Sequence, residues 1–149
     1  MKSLSHLDKS GKVTMVDVGA KPDQHRRAVA TATLHCAAAT IRLLKKKALP
    51  KGDVLVTAQI AGIQAAKQTA TLIPLCHPLP LHKIDVQFKV ASTSITVTAE
   101  AVTIGKTGVE MEALTAASVA CLTLYDMLKA VDKSMRVDGL RVVKKEKRS

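Results

Sequence analysis

The alternation of apolar and polar positions predicts the first long element of this chain. Between Arg26 and Cys36 every second side chain points the same way, and we expect a strand with both faces covered. Before it, Val13 to Val18 could form a short strand. One side of the longer strand carries Val29, Thr31 and Thr33, and the other carries Ala28, Ala30, Ala32 and Leu34.

The next segments have the periodicity of helices. Ala37 to Leu49 is predicted as a helix that Pro50 stops, because proline removes a backbone donor and clashes with the preceding turn. Asp53 is a suitable N-cap for a second helix that runs towards Thr71. Three prolines then force Ile73 to Pro80 to be extended or turning.

The second half of the chain repeats the mixture of strands and a helix. Residues 84–90 and 94–104 indicate two strands joined by a polar turn. Thr107 and Glu110 fit a capping box, so the following helix should begin at Thr107 and run to about Val131. Arg136 to Val143 is predicted as the last strand.

This order of elements predicts an α+β fold. A ferredoxin-like sandwich is expected, with a mostly antiparallel sheet and helices packed on one face. The length of 149 residues favours a single domain over 1–149. The polar residues 1–12 and the charged tail 144–149 are expected to be flexible.

Charge and composition narrow the partners. The net charge of +11 suits a nucleic acid, an anionic membrane or a polyphosphate. Phe88 and Tyr125 are the only aromatic residues, which argues against a protein that stacks single-stranded bases. Duplex binding through phosphates stays open.

The cysteines and the N-terminus indicate the compartment. Cys36, Cys76 and Cys121 are odd in number and widely spaced, as in a reduced cytosolic protein. No signal peptide or membrane-spanning run is evident in the sequence, so we expect a cytoplasmic protein.

Two short segments carry chemistry, each with an ordinary structural alternative. Lys51 stands just before the helix that Asp53 should cap, where it could meet an anion, or it could be a solvated lysine. His77 follows Cys76 in a proline-bounded loop, where it could bind phosphate or move a proton, or simply bond the backbone. A zinc site would add His82, but the spacing of structural zinc sites is missing.

The last helix suggests a site shared between subunits. Asp126 and Lys129 are neighbours on one face, either as an exposed ion pair or as a lysine tuned by a carboxylate. Glu112 and Asp126 share a face to within about 40° but lie about 21 Å apart along the axis. A single small ligand could not touch both in one helix. We therefore expect Glu112 and Asp126 of different chains to meet across a two-fold interface.

The exact residues of six sequence motifs are far more specific than any single residue. Together and in this order the chain resembles the MoaC family of cyclic pyranopterin monophosphate synthases over about residues 4–145. The motifs are Met15-Val16-Asp17-Val18, Lys51-Gly52-Asp53-Val54-Leu55, Ala61-Gly62-Ile63-Gln64-Ala65-Ala66-Lys67, Leu72-Ile73-Pro74-Leu75-Cys76-His77-Pro78-Leu79, Thr107-Gly108-Val109-Glu110-Met111-Glu112-Ala113-Leu114-Thr115 and Tyr125-Asp126-Met127-Leu128-Lys129-Ala130-Val131.

The resemblance implies a reaction and an assembly. The family converts 3′,8-cyclo-7,8-dihydroguanosine 5′-triphosphate to cyclic pyranopterin monophosphate with release of pyrophosphate, early in molybdenum cofactor biosynthesis. It implies a ferredoxin-like fold and a hexamer built from dimers, with active sites at the dimer interface. No cofactor is required, no metal site is expected, and Mg²⁺ could accompany the triphosphate.

The resemblance also places the site. Its implied catalytic residues are Lys51, Asp126 and Lys129, with Lys129 as the candidate acid or base. Arg26, Lys51, Lys67 and His77 are expected to hold the triphosphate, and Glu112 to accept hydrogen bonds from the guanine-like base. The implied substrate-binding residues are Asp17, Arg26, Lys67, Leu75, Cys76, His77, Glu110, Met111, Glu112 and Lys145.

Two departures from the family pattern bear on this site. The family usually has a glycine-rich segment after the late lysine, whereas this chain has no glycine after Gly139, which puts the role of Lys145 in question. Gln24 stands where a threonine is common, so a hydroxyl contact to phosphate would be missing. The alternatives are a basic nucleic-acid-binding domain without catalysis and an inactive paralogue that serves as an assembly subunit.

Overall fold

Four strands form one antiparallel sheet, and the helices cover one of its faces. The computed structural model describes residues 5–149. In chain order the elements are β1 (Gln24–His35), α1 (Ala38–Lys45), α2 (Val54–Lys67), α3 (Thr69–Leu72), β2 (Leu81–Val90), β3 (Ser94–Gly105), α4 (Glu110–Leu128) and β4 (Arg136–Arg148). The sheet order is β2-β3-β1-β4, with every neighbouring pair antiparallel. The predicted α+β, ferredoxin-like fold is confirmed.

The core is built from small side chains. Ala28, Ala30 and Ala32 of β1 are at most 1% exposed and face the helices. On α4, Ala113, Ala116, Ala117 and Ala120 are completely buried. Because these residues are short, α2 and α4 can lie close to each other and to the sheet. A Cβ atom on Gly62 of α2 would lie 3.0 Å from the Ala116 carbonyl oxygen of α4.

The outer face of the first strand is only partly covered, so the prediction of two covered faces is confirmed in part: Val29 on this face is 8% exposed. Thr31 and Thr33 on the outer face are half-buried, and hydroxyls tolerate the water that reaches them. Farther along this face Arg27 forms an ion pair with Glu100, which Lys83 joins over 2.8 Å. The outer face of the sheet is therefore polar.

Several predicted boundaries are confirmed and others are wrong. Asp53 caps α2, because its Oδ1 atom accepts a hydrogen bond from the Val56 amide over 3.1 Å. The first helix ends at Lys45, before Pro50, since Lys47 turns the chain with a φ of 52°. The capping box is wrong: the N-cap of α4 is Val109, without a side-chain hydrogen bond.

The two ends of the chain also differ from expectation. Val13 to Val18 is no strand, and only an isolated bridge joins Leu7 to Val13. The first four residues of the segment predicted to be flexible lie outside the described residues. Strand β4 extends to Arg148 because Lys144 to Arg148 pair with Val29 to His25 of β1. The prediction of a loose tail after Val143 is therefore wrong.

Candidate functional site

A cavity of about 320 Å³ lies at the N-terminal end of α4. The first turn of α4 forms one wall, the proline-rich loop after α3 forms a second, and the segment before β1 lies across them. The loop turns at Pro74 and Leu75, and its residues Leu75, Cys76 and His77 line the cavity. The cavity brings together six of the predicted substrate-binding residues, namely Leu75, Cys76, His77, Glu110, Met111 and Glu112.

Glu112 is the buried carboxyl group of this cavity. It is 4% exposed, and burial raises its pKa above the ordinary value, as does the charge of Glu110. Burial and the charge of Glu112 in turn raise the pKa of the Cys76 thiol. No lysine or arginine forms an ion pair with Glu112 among residues 5–149. Such an acceptor gains most from a ligand that offers N–H donors.

Glu110 has the opposite environment. Burial alone would raise its pKa, but the ion pair with Lys145, its own backbone amide and the charge of Arg26 hold the pKa below the ordinary value. A side chain on Gly108 would meet the Glu110 carboxylate, so a larger residue here would displace that carboxylate from its present position. Strand β4 thus brings Lys145 to the Glu110 carboxylate, although the usual glycine-rich segment is missing.

Arg26 reaches the same end of the molecule from β1. Its Nη2 atom donates a hydrogen bond to Gln24 Oε1 over 3.2 Å. Its Nε atom is buried and has no partner in the described part of the chain. The guanidinium is therefore held from one side by Gln24 and keeps donors for an anion.

The segment before β1 is held against the cavity by side chains of the folded body. His77 Nε2 lies 2.6 Å from the Val16 carbonyl oxygen, and Lys106 Nζ donates to the Gly19 carbonyl oxygen over 2.6 Å. Asp17 Oδ1 accepts a hydrogen bond from the Gly19 amide over 2.8 Å and borders an adjoining cavity. The predicted site residue Asp17 thus lies beside His77, which uses one ring nitrogen on the backbone.

Sequence reasoning missed three basic residues near this cavity. His6 and Lys21 line it, and Lys106 holds the segment that carries Lys21. The signal for Lys21 was its position inside the stretch that contains Asp17 and Arg26. Nothing in the local pattern indicated His6, because only the path of the chain brings it to the cavity.

The predicted catalytic residues gather at the other end of α4. Lys129 Nζ lies 2.7 Å from Asp126 Oδ1, and Lys51 Nζ lies 3.6 Å from Asp126 Oδ2. Lys51 also donates to the Asp126 carbonyl oxygen over 3.1 Å. The hydrogen bond and charge of Lys129, followed by the charge of Lys51, lower the pKa of Asp126, and Asp126 raises the pKa of Lys129. All three side chains are exposed.

The site residues of one chain therefore form two groups. Glu112 and Asp126 lie about 21 Å apart along α4. Because Lys51 at the start of α2 contacts the end of α4, the two helices run antiparallel, and Lys67 at the end of α2 is on the cavity side. One chain does not bring Lys51 together with Arg26 and His77, which the resemblance placed around the same triphosphate.

Two further features of the described residues concern metals and membranes. No group of three His, Cys, Asp or Glu lies in a metal-binding arrangement between Ser5 and Ser149. By length and mean hydropathy α4 could span a membrane, but 50% of that stretch is buried inside the fold. It packs beside α2 on one face of the sheet, against β1, β3 and β4.

Comparison with known proteins gives a consistent result. Residues 15–148 match the model of the MoaC family. The chain is 52% identical over 147 residues to the cyclic pyranopterin monophosphate synthase of Roseiflexus sp. (strain RS-1), covering 97% of this chain and 93% of that protein. It is 55% identical over 143 residues to the protein of that name from Oleidesulfovibrio alaskensis, covering 95% of this chain and 90% of the relative.

A third relative is longer. The chain is 54% identical over 138 residues to the molybdenum cofactor biosynthesis bifunctional protein of Chlorobaculum tepidum. That alignment covers 93% of this chain and 44% of the relative, so this chain spans less than half of the longer protein. Because the family model and the shorter relatives both extend over nearly all of its length, the chain belongs to the MoaC family.

Proposed function

We propose that this chain is a cyclic pyranopterin monophosphate synthase of molybdenum cofactor biosynthesis. Its substrate is 3′,8-cyclo-7,8-dihydroguanosine 5′-triphosphate, and its products are cyclic pyranopterin monophosphate and pyrophosphate. The observation that carries the proposal is that the buried Glu112, which forms no ion pair among residues 5–149, shares a cavity with Lys21 and lies near further cations. This arrangement suits a ligand with a base that donates N–H groups and a chain of phosphates.

The base of the substrate is recognised by Glu112. An amine and a ring N–H can donate to the two oxygens of one carboxylate. Glu112 is buried and no cation among residues 5–149 pairs with it, so these hydrogen bonds would form in a region of low dielectric. Cys76 and Met111 also line the cavity and offer apolar surface to the ring.

The triphosphate is bound by the cations around the cavity. Arg26 retains unused donors, Lys21 lines the cavity without an ion-pair partner among residues 5–149, and Lys67 lies on the same side of the molecule. Each charge-assisted contact to a phosphate oxygen also stabilises the charge that develops when pyrophosphate leaves. His77 contributes mainly by holding Val16, since one nitrogen is already engaged there.

The complete active site is formed by two chains. The Glu112 group of one subunit meets the Lys51, Asp126 and Lys129 group of another across a two-fold interface. The separation of the two groups along α4 supports this arrangement. One bound nucleotide could not contact both groups of a single chain, because they lie about 21 Å apart along the helix. A hexamer built from such dimers is the assembly proposed here.

Lys129 is the proposed general acid. Its ion pair with Asp126 favours the protonated form, so it can give a proton to a leaving nitrogen or oxygen. In the final step a hydroxyl oxygen attacks the phosphorus next to the ribose carbon, its proton passes to a base, and the bond to pyrophosphate breaks. Lys51 would stabilise the negative charge on the departing group.

Three parts of the proposal concern conditions rather than residues. We propose that the protein needs no cofactor, that Mg²⁺ accompanies the triphosphate, and that the enzyme works in the cytoplasm. Magnesium commonly accompanies substrate phosphates and takes only one or two ligands from the protein.

Turnover tests the function directly. Freshly made 3′,8-cyclo-7,8-dihydroguanosine 5′-triphosphate is supplied, and pyrophosphate and product mass are measured for the wild type, Lys129→Ala and Lys89→Met. Lys89 is an exposed lysine of β2 that serves as a charge-matched control. We expect product from the wild type and the control and little from Lys129→Ala. A folded wild type without product would support the inactive-subunit alternative.

The nucleic-acid-binding alternative finds no support in the comparisons. It also leaves a buried carboxyl group at the centre of the cavity, where a polyanion would be repelled. A titration with duplex DNA over a range of salt concentrations would detect such binding.

A further inference from the structure

The segment from Thr14 to Lys21 crosses the cavity without belonging to a helix or strand. It contains few hydrogen bonds of its own: the Gly19 amide donates to Asp17 Oδ1 over 2.8 Å, and the Lys21 amide donates to the Val18 carbonyl over 3.0 Å. A segment of this kind keeps one conformation only through contacts with the rest of the fold.

Two side chains of the folded body provide those contacts. His77 lies in the proline-rich loop and bonds the Val16 carbonyl, which requires the ring proton on Nε2. Lys106 lies in the turn between β3 and α4 and donates to the Gly19 carbonyl over 2.6 Å. The two bonds fix the segment on both sides of Asp17.

Lys106 is well placed for this purpose. It is half-buried, and it stands two positions before Gly108, over which the Glu110 carboxylate lies. The turn that carries Lys106 therefore also sets the start of α4 and the position of Glu110. A charged donor on a carbonyl oxygen is stronger than a neutral one, so Lys106 is the firmer of the two contacts.

We propose that Lys106 is a positioning residue of the binding site. Its ammonium holds the segment from Val16 to Lys21 against the body and so places Asp17 and Lys21 at the cavity. Lys106 itself does not touch the substrate. The effect on turnover rests on the proposed function, whereas the effect on the segment concerns the free protein alone.

Hydrogen exchange of the full chain without substrate tests the contact. The wild type is compared with Lys106→Met, which keeps the length of the side chain, Lys106→Arg, which keeps a donor, and the control Lys89→Met. In Lys106→Met we expect the Gly19 and Lys21 amides to exchange about tenfold faster, with amides of α4 unchanged. Lys106→Arg and Lys89→Met should exchange like the wild type.

Kinetics with the cyclic triphosphate add the functional readout. We expect KM to rise about tenfold in Lys106→Met while kcat stays within about twofold, because binding groups are misplaced and the reacting groups are not. Unchanged exchange at Gly19 and Lys21 would overturn the proposal, and so would equal acceleration in α4, which would mean that Lys106 merely supports the fold. A wild type without turnover would refute the proposed function and leave the exchange result intact.

Discussion

Oδ1 of Asp126 lies 2.7 Å from Nζ of Lys129 at the last turn of α4, so the two residues form an ion pair. The pair lowers the pKa of Asp126 and raises that of Lys129. In the isolated chain Lys129 is therefore protonated over the neutral range, because the hydrogen bond and charge of Asp126 outweigh the opposing effect of burial. The structure favours the acid over the base for this residue.

The first prediction concerns the alkaline limb of the pH profile. Asp126→Asn removes the charge that raises the pKa of Lys129, so this limb of kcat should move to lower pH. Lys129→Met should lower kcat roughly 10²- to 10⁴-fold, as expected for loss of a general acid. Asp138→Asn is a control, because Asp138 pairs with His35 at another edge of the sheet. A profile of Asp126→Asn identical to the wild type would contradict the assignment.

The second prediction concerns the shared site. Glu112→Gln and Lys129→Ala should each be nearly inactive as pure proteins. If the site combines Glu112 of one chain with Lys129 of another, dissociating and reassociating an equal mixture places both changes in one site and leaves the other intact. Activity should then return to about a quarter of the wild type, by random pairing of subunits. No recovery in verified mixed dimers would mean that both residues serve the same chain's site.

The third prediction concerns the stability cost of Glu112. Because burial raises its pKa in the folded state, the ionised form is disfavoured, and this cost is absent below the ordinary value of 4.5 and grows as pH rises through the folded pKa. Glu112→Gln should therefore stabilise the fold at pH 7 by about 1 kcal/mol and give little change at pH 4. Urea unfolding at both pH values measures the difference.

Glu110→Gln is the matched comparison for that experiment. The pKa of Glu110 is lowered on folding, so its contribution is present above the ordinary value and is lost as pH falls. This variant should be less stable than the wild type at pH 7. If Glu110→Gln and Glu112→Gln changed stability in the same direction at pH 7, the contrast between the two environments would be wrong.

The fourth prediction concerns Asp132, a buried carboxylate outside the site. Oδ2 accepts from the Ala37 amide and the Thr40 hydroxyl, each over 2.8 Å, and Oδ1 accepts from the amide and hydroxyl of Ser134 over 2.8 and 2.7 Å. These bonds, with that of Ala37 the largest, hold the pKa of Asp132 well below its usual range. They join the start of α1 to the loop after α4.

Asp132→Asn should destabilise the fold by about 2–4 kcal/mol at pH 7, because an amide has one acceptor oxygen and its NH₂ group would face two donors. The stabilisation by Asp132 is present above the ordinary value of 3.8 and is lost as pH falls towards the folded pKa, so the gap between the proteins should narrow in acid. Thermal unfolding measures it, with Asp23→Asn, an exposed aspartate, as the control. A gap that widened in acid would refute the account.

The sequence predicts the features that depend on neighbouring residues alone, namely helix caps, proline-rich loops and helical periodicity. The sequence predicts Asp53 as a cap because a capping aspartate acts within its own turn, and the prolines around His77 predict an extended or turning loop for a similar reason. The helical periodicity of α4 was enough to show that Glu112 and Asp126 are far apart. These signals predicted the order of the elements and the division of the site.

Contacts between distant parts of the chain could not be predicted in this way. Lys144 to Arg148 have no apolar alternation, and they form a strand because β1 supplies the partner and Glu110 and Arg27 supply opposite charges. The same applies to the start of α4. The capping box predicted a hydrogen bond from the Thr107 backbone to the Glu110 side chain, but the Glu110 carboxylate forms an ion pair with Lys145 instead.

Gly62 has a consequence that reaches beyond the core in which it is buried. It allows α2 and α4 to touch backbone to backbone near their midpoints. Lys51 and Lys67 flank one helix, while Asp126 and Glu110 mark the ends of the other. A larger residue at this contact, such as valine, would push the two helices apart. The distances between the charged residues at both ends of the helix pair would then change together. The smallest residue in the helix pair thereby determines how far apart these four charged residues lie, although it contacts none of them.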